Sequence, residues 1–225
     1  MSAQHQSATV TDAASFGAQF GVSRETLERL ETYSGLLRQW QPTINLVAPS
    51  TLPGLWERHF ADSAQLLALA PAEALAWLDL GSGAGFPGLV LGIMLVERQG
   101  AKVTLIESDQ RKAAFLSEVA RKTGAPVDIL CKRIETAATQ AKLPAFDVVT
   151  ARALAPLPRL LSLATPYFAP KTSGVFPKGR EAGAEIEAAR EGFEFDVALK
   201  PSLTDAHSRI LIVTALQAKT EVRSR

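Results

Sequence analysis

The chain has 225 residues, 47% hydrophobic and 21% charged, with a formal net charge of +1, an ordinary globular composition for one large domain or a domain with an appendage. No apolar run approaches the ~20 residues that cross a bilayer, and the opening MSAQHQSATVTDAAS has no Lys, Arg or apolar block, so residues 1–20 read as a disordered lead-in and not as a secretory signal. Cys131 is the single cysteine and His5, His59 and His207 are scattered, which excludes an internal disulfide, argues against any metal site and fits a reducing cytoplasm.

Leu27, Leu30, Tyr33, Leu37 and Trp40 recur at helical steps behind Ser23, a natural N-cap; they predict a helix over residues 22–40, ended by Gln41-Pro42. After the loop PTINLVAPS, Ser50 or Thr51 is expected to cap a second helix reaching Leu69. Leu55, His59, Asp62, Ser63, Leu66 and Leu67 then share one side of it. The two helices form an N-terminal extension over residues 21–70.

Beyond Pro71 the pattern changes to short apolar runs alternating with helical stretches, over residues 71–225. Strands are expected at 75–80, 102–107, 127–131, 146–150, 174–177, 194–199 and 209–216, with helices at 87–98, 109–123, 133–141, 156–168 and 180–191. Near-continuous apolar strands separated by helices indicate an α/β fold with a parallel sheet covered on both faces. KPSLTDAHS between the last two strands is too short for a crossover, so those strands should pair antiparallel.

Charge is unevenly spread. Residues 131–180 hold Lys132, Arg133, Lys142, Arg152, Arg159, Lys171, Lys178 and Arg180 against Glu135 and Asp147, eight positive and two negative, a net of +6. The rest of the chain is then −5. Such an excess can serve as a phosphate-binding surface, or be no more than a solvated face.

DLGSGAGFPG, Asp79 to Gly88, joins the first strand of the sheet to its first helix. In an open parallel sheet ligands bind at the carboxyl ends of strands where strand order reverses. Gly81, Gly83 and Gly85 permit a sharp turn and close approach to bare backbone, and the helix N-terminus beyond Pro87 offers free N–H groups. The spacing departs from the dinucleotide fingerprint, because Phe86 stands where its third glycine would fall. Asp79 would also repel a pyrophosphate; a carboxylate there suits a cationic ligand, or holds the loop through its own hydrogen bonds. S-adenosylmethionine carries an ammonium and a sulfonium and no pyrophosphate. Glu107 ends the second strand 22 residues after Gly85, where an acidic side chain accepts hydrogen bonds from ribose hydroxyls. The third strand end, CKRIET, would lie beside the adenine, bracketed by Ile134 and main-chain N–H groups.

These residues resemble class I S-adenosylmethionine-dependent methyltransferases, whose fold is Rossmann-like. More narrowly, RQWQPTINLVAPS, RHFADS, LDLGSGAGFPG, LIESDQRKAAFL, KRIET, FDVVTARAL and FPKGR resemble the ribosomal small-subunit methyltransferase G family, also called glucose-inhibited division protein B. The resemblance runs from about residue 20 through nearly the whole chain. It implies a seven-stranded, mostly parallel sheet with an antiparallel last strand, and methyl transfer to N7 of a guanine in 16S ribosomal RNA. It also implies a donor site of Asp79, Gly81, Ser82, Gly83, Gly85, Phe86, Glu107, Ile134, Glu135 and Arg152, with Arg133, Arg152 and Lys178 as the catalytic or RNA-contacting cations. KRIE stands where the family has GRAE, and Glu107 where it commonly has aspartate.

Guanine N7 carries a lone pair and no proton, so transfer needs no general base; alignment and electrostatics suffice. His59, with Asn45, Arg58, Asp62 and Ser63 on the helical preface, is therefore read as part of a pocket wall. The expected partner is 16S RNA within the small subunit, acted on by a monomer with no membrane association. The competing readings are a small-molecule methyltransferase on the same sheet, a nicotinamide-dependent oxidoreductase, and a module that binds RNA without turnover.

Overall fold

The computed structural model of the chain describes residues 10–219. Most of the sequence-based elements are present, and their differences have local causes. Helix α1 (Ala13–Phe20) lies inside the stretch expected to be a disordered lead-in. Asp12 caps it by accepting from the Ser15 N–H while Ser15 Oγ receives the backbone N–H of Asp12, and Gly21 closes it in the left-handed region. Such a reciprocal cap satisfies two of the orphan donors of a short helix. Phe16 is fully buried, 4.6 Å from Phe20 and 5.7 Å from Trp56 between ring centroids. The expected lead-in is thus corrected from residue 13 onward; residues 1–9 lie outside the described residues.

Helix α2 (Arg24–Trp40) starts on the Ser23 side chain, as its sequence predicts, and buries Leu30, Tyr33 and Leu37. The second helix of the extension is less regular. A 3-10 turn at Pro49–Thr51 precedes a π-helical turn at Trp56–Ala61, which runs into α3 (Asp62–Ala64) and a 3-10 turn at Gln65–Leu69. Neither Ser50 nor Thr51 caps it: Pro53-Gly54 intervenes, and Thr51 Oγ1 donates to the Ala48 carbonyl instead.

The sheet contains β1 (Ala76–Leu80), β2 (Lys102–Glu107), β3 (Val127–Cys131), β4 (Val148–Thr150), β5 (Ser173–Lys178), β6 (Phe193–Pro201) and β7 (Arg209–Ala218). Their spatial order is β3-β2-β1-β4-β5-β7-β6. The first five are parallel, and β7 runs antiparallel to both β5 and β6. The crossover helices are α4 (Gly88–Met94), α5 (Gln110–Thr123), α6 (Ile134–Gln140), α7 (Leu157–Ala164) and α8 (Ala182–Arg190). Strand order reverses between β1 and β4, so the carboxyl ends of these two strands flank the crevice where ligands bind.

Alternation along the strands divides the core. Trp77, Val103, Leu105, Val148 and Val175 join α2, α4, α5 and the extension on one face; Leu78, Leu80, Ile106, Val149 and Phe176 join α6, α7 and α8 on the other. The extension is therefore continuous with the first face. Replacing Phe16 by Ala should cost about 3–5 kcal/mol of stability, measured by urea unfolding; a loss near zero would mean that α1 does not dock.

Candidate active site

The loop after β1 turns through three left-handed glycines, with φ of +67° at Gly81, +58° at Gly83 and +98° at Gly85. Their needs differ. A Cβ on Gly81 would come within 2.6 Å of Leu154 Cδ1, and one on Gly85 within 2.7 Å of the Tyr33 hydroxyl; at Gly83 no side chain lies near. Gly83 thus presents bare backbone to open space.

The loop is held from several sides. Ser82 N–H donates to the Ile106 carbonyl at 3.0 Å and Gly83 N–H to Glu107 Oε2 at 2.8 Å. The Tyr33 hydroxyl donates to the Ala84 carbonyl at 2.5 Å, with its ring stacked 5.2 Å from Phe86. Beneath the loop, the fully buried Asp79 accepts from Gly88 N–H at 3.3 Å and from Thr150 Oγ1 at 2.9 Å. Burial pushes the Asp79 carboxyl up to about 6, outweighing those hydrogen bonds.

Above the loop is a cavity of about 480 Å³, bounded by the glycine loop, the ends of β2 and β3, and the segment after β4. Of the residues expected to bind the donor, Gly81, Ser82, Gly83, Phe86, Glu107, Ile134, Glu135 and Arg152 line it; Asp79 and Gly85 do not. Asp79 lies fully buried beneath the loop and outside the cavity lining, where it supports the turn through Gly88 and Thr150. Gly85 turns its free side toward Leu89 and Tyr33. Glu107 uses both oxygens to bind chain, Oε1 taking the Asp109 N–H at 2.8 Å and Oε2 the Gly83 N–H. Each oxygen keeps a further lone pair toward the cavity. Ile106, Ile134, Leu154 and Leu163 supply an apolar wall, while Glu135 is ion-paired to Arg159 at 2.6 Å.

A second cavity of about 570 Å³ adjoins the first, sharing His59, Arg152, Ala153 and Leu154 with it and reaching Lys178, Glu185 and Arg209. Arg152 is the junction. Its Nη1 donates to the Arg58 carbonyl at 3.0 Å and to Asp62 Oδ2 at 3.3 Å, and Nη2 to His59 Nδ1 at 2.8 Å. Its guanidinium carbon lies 5.2 Å from the Phe86 ring centroid. An arginine only donates, so His59 Nδ1 accepts. The Nε2 proton of His59 then goes to Thr51 Oγ1 at 2.8 Å, and Thr51 passes its own to Ala48. Burial, and then the Arg152 and Arg58 cations, push the imidazole down to about 3. His59 is a neutral wall residue, and Asn45 is exposed.

The cations of the +6 segment divide into two groups. Arg152, Arg159 and Lys178 are held in ion pairs, Lys178 Nζ meeting Glu185 Oε2 and the Ala155 carbonyl, each at 2.7 Å. Lys132 and Arg133 line the first cavity exposed, with no ion pair among the described residues. Lys112, which sequence reasoning passed over, lines the same cavity. It also missed Tyr33, Glu185 and Gln41, whose amide clamps Leu46 and Val47 at the cavity rim through bonds of 2.7–3.1 Å.

The sheet order, the glycine loop and the cavity above it define a Rossmann-like methyltransferase fold. The solved structures that resemble it agree: a putative O-methyltransferase from Klebsiella pneumoniae (TM-score 0.56, 16% identity, 91% of this chain and 96% of that one). A SAM-dependent methyltransferase from Aquifex aeolicus is similar (TM-score 0.52, 18% identity, 72% and 92%). So is a variant of MtNAS solved in complex with S-adenosylmethionine (TM-score 0.53, 18% identity, 92% and 84%). Residues 26–212 match the family described as GidB, rRNA small subunit methyltransferase G. Two proteins named ribosomal RNA small subunit methyltransferase G are close relatives, from Parvibaculum lavamentivorans (53% identical over 207 residues, 92% of this chain and 91% of the relative) and Rhodospirillum centenum (55% over 199 residues, 88% of each). The chain belongs to the rRNA small subunit methyltransferase G family.

The Asp79 carboxyl gives a stability signature. Its folded value of about 6 lies above the ordinary 3.8, so between these values the folded chain binds more protons than the unfolded chain, and stability falls as pH rises. Asp79→Asn should therefore gain stability relative to the parent by about 3 kcal/mol between pH 4 and pH 7, read as the difference between paired urea titrations. A difference that does not change with pH would mean that Asp79 ionises normally.

Proposed function

We propose that the protein transfers the methyl group of S-adenosylmethionine to N7 of a guanine in 16S ribosomal RNA, by direct in-line attack without a general base. The observation that carries this reading is the pair of cavities meeting at Arg152 and Leu154, one for the donor and one for the base, with a blocked imidazole between them. The glycine loop fits the methionine end of the donor, because Gly83 offers uncovered backbone to the cavity. Glu107 receives the ribose hydroxyls, and Ile134 with Leu163 covers the adenine face. Glu135 and Arg133 border the same base. When bound, S-adenosylmethionine supplies a sulfonium methyl: the N7 lone pair forms the N–C bond, the C–S bond breaks with its electrons left on sulfur, and no proton moves.

The residues at the junction suit that chemistry. His59 cannot take a proton, since its one lone pair is covered by Arg152. The methylated base is cationic, so unbalanced positive charge beside it would oppose transfer. Arg152 and Lys178 are each balanced, by Asp62 at 3.3 Å and Glu185 at 2.7 Å. So balanced, they shape the cavity wall at the place where the sequence expects catalytic or RNA-contacting cations. Phosphate contact falls to the exposed Lys132 and Arg133 and the half-buried Lys112 of the first cavity, which favours a polyanionic substrate over a small apolar one. RNA bases enter such pockets splayed out of the helix, and the folded small subunit supplies that presentation to a cytoplasmic monomer.

Mass mapping of small-subunit rRNA from cells with and without the protein should show the loss of one 7-methylguanosine; its persistence would overturn the N7 assignment. Lys132→Ala combined with Arg133→Ala should lower kcat/KM for small subunits about tenfold (~1.4 kcal/mol) and flatten its salt dependence. Unchanged salt dependence would remove these two residues from the RNA surface.

A further inference from the structure

Methyl-transfer geometry does not by itself select guanine, because adenine carries an N7 lone pair of the same kind. The two purines differ on the opposite edge. Guanine presents N1–H and a 2-amino group, both donors, whereas adenine N1 is an acceptor. A pocket that chooses guanine there needs an acceptor with an unused oxygen, and a carboxylate is the strongest one available.

Two carboxylates line the second cavity. Both oxygens of Asp62 have partners: Oδ1 takes Gln65 Nε2 at 3.0 Å and Thr204 Oγ1 at 2.9 Å, and Oδ2 takes Arg152. Glu185 is different. Its Oε2 accepts from the Leu157 N–H at 2.5 Å and from Lys178 Nζ at 2.7 Å, which fixes the carboxylate, while its Oε1 has no hydrogen-bond partner among the described residues. The side chain is 25% exposed, so that oxygen is open to a ligand.

We infer that Glu185 Oε1 accepts hydrogen bonds from the N1–H and 2-amino group of the target guanine and is the residue that selects this base. The inference rests on the N7 reading above and deepens it. Lys178 has used two of its three protons, on Ala155 and Glu185, and keeps the one that guanine O6, next to N1 on the same edge, requires. Glu185 also favours the transition state over the ground state. As the N7 lone pair becomes an N–C bond, the ring gains positive charge and its N1–H and 2-amino protons become better donors. The bonds to Oε1 therefore strengthen during transfer and appear in kcat more than in KM.

The test compares guanosine with inosine at the methylated position of a reconstituted small subunit. Inosine keeps N7, O6 and N1–H and lacks only the 2-amino group. The wild-type protein should methylate the inosine substrate about tenfold more slowly. Glu185→Gln turns an amide donor toward a donor edge; it should lower kcat on guanosine by about 10–100-fold and bring the guanosine-to-inosine ratio close to one. Its affinity for S-adenosylmethionine should be unchanged, which separates this role from a folding defect. Equal wild-type rates on the two substrates, or a Glu185→Gln variant that keeps the wild-type ratio, would overturn the inference. Should Glu185→Gln fail to fold, the wild-type comparison decides alone. If wild-type protein methylates no guanosine N7, the underlying reading falls and this role with it; if it methylates N7 without discrimination, only the role of Glu185 falls.

Discussion

Left-handed glycines have no side chains to fix their backbone, so the shape of a loop built on them is imposed largely by its surroundings. Gly81, Gly83 and Gly85 all sit at positive φ within five residues, a backbone that glycine alone adopts without penalty and that carries the largest entropy cost on ordering. Four outside groups impose that order: the Ile106 carbonyl, the Glu107 carboxylate, the Tyr33 hydroxyl and the Asp79 carboxylate below. They come from β2, α2 and β1, so the glycine loop is where sheet and extension are tied together. Each clamp takes a backbone group that would otherwise be unpaired beneath a ligand. The cost of burying Asp79 next to the loop is set against the rigidity it confers.

Arg152 extends this logic to the substrate side. With Arg58, His59 and Asp62 it binds the end of β4 to the irregular helix of the extension, and the wall it makes belongs to both cavities. Asp62 then reaches Thr204, and Gln65 reaches the Leu203 N–H at 2.8 Å. The β6–β7 loop is thereby drawn toward the second cavity. Arg152 is thereby held in one place by its pairing, while Lys132 and Arg133 stay exposed at the first cavity.

The order of elements was legible in the sequence because β-strand alternation and helical periodicity are properties of neighbouring residues. The glycine loop was legible for a similar reason, since Gly81, Gly83 and Gly85 advertise their backbone. Phe86, Glu107 and Ile134 could be placed beside it by counting. What could not be read was how each polar group spends its hydrogen bonds. Asp79, Arg152 and Lys178 sit at the expected strand ends, yet their partners at Gly88, Asp62 and Glu185 are fixed only by folding. Tyr33 reads as one more apolar helix position until its hydroxyl is seen against Ala84. Helix α1 escaped notice because Phe16 and Phe20 are its only large apolar residues and its stability lies in docking on Trp56. The short, irregular helix around His59 hid its own start, because Ser50 and Thr51 look like caps and are used elsewhere.

The Tyr33 cross-tie bears on how such a chain could have been assembled. A methyltransferase sheet with an added helical front would, if the front were a mere accessory, accept its removal or its exchange for another. Here the front carries a hydroxyl into the donor loop and fills one face of the common core. Grafting a foreign recognition module in its place would leave the Ala84 carbonyl uncovered and the loop loose. A replacement front would have to bring both a donor for the Ala84 carbonyl and apolar side chains for that face of the core.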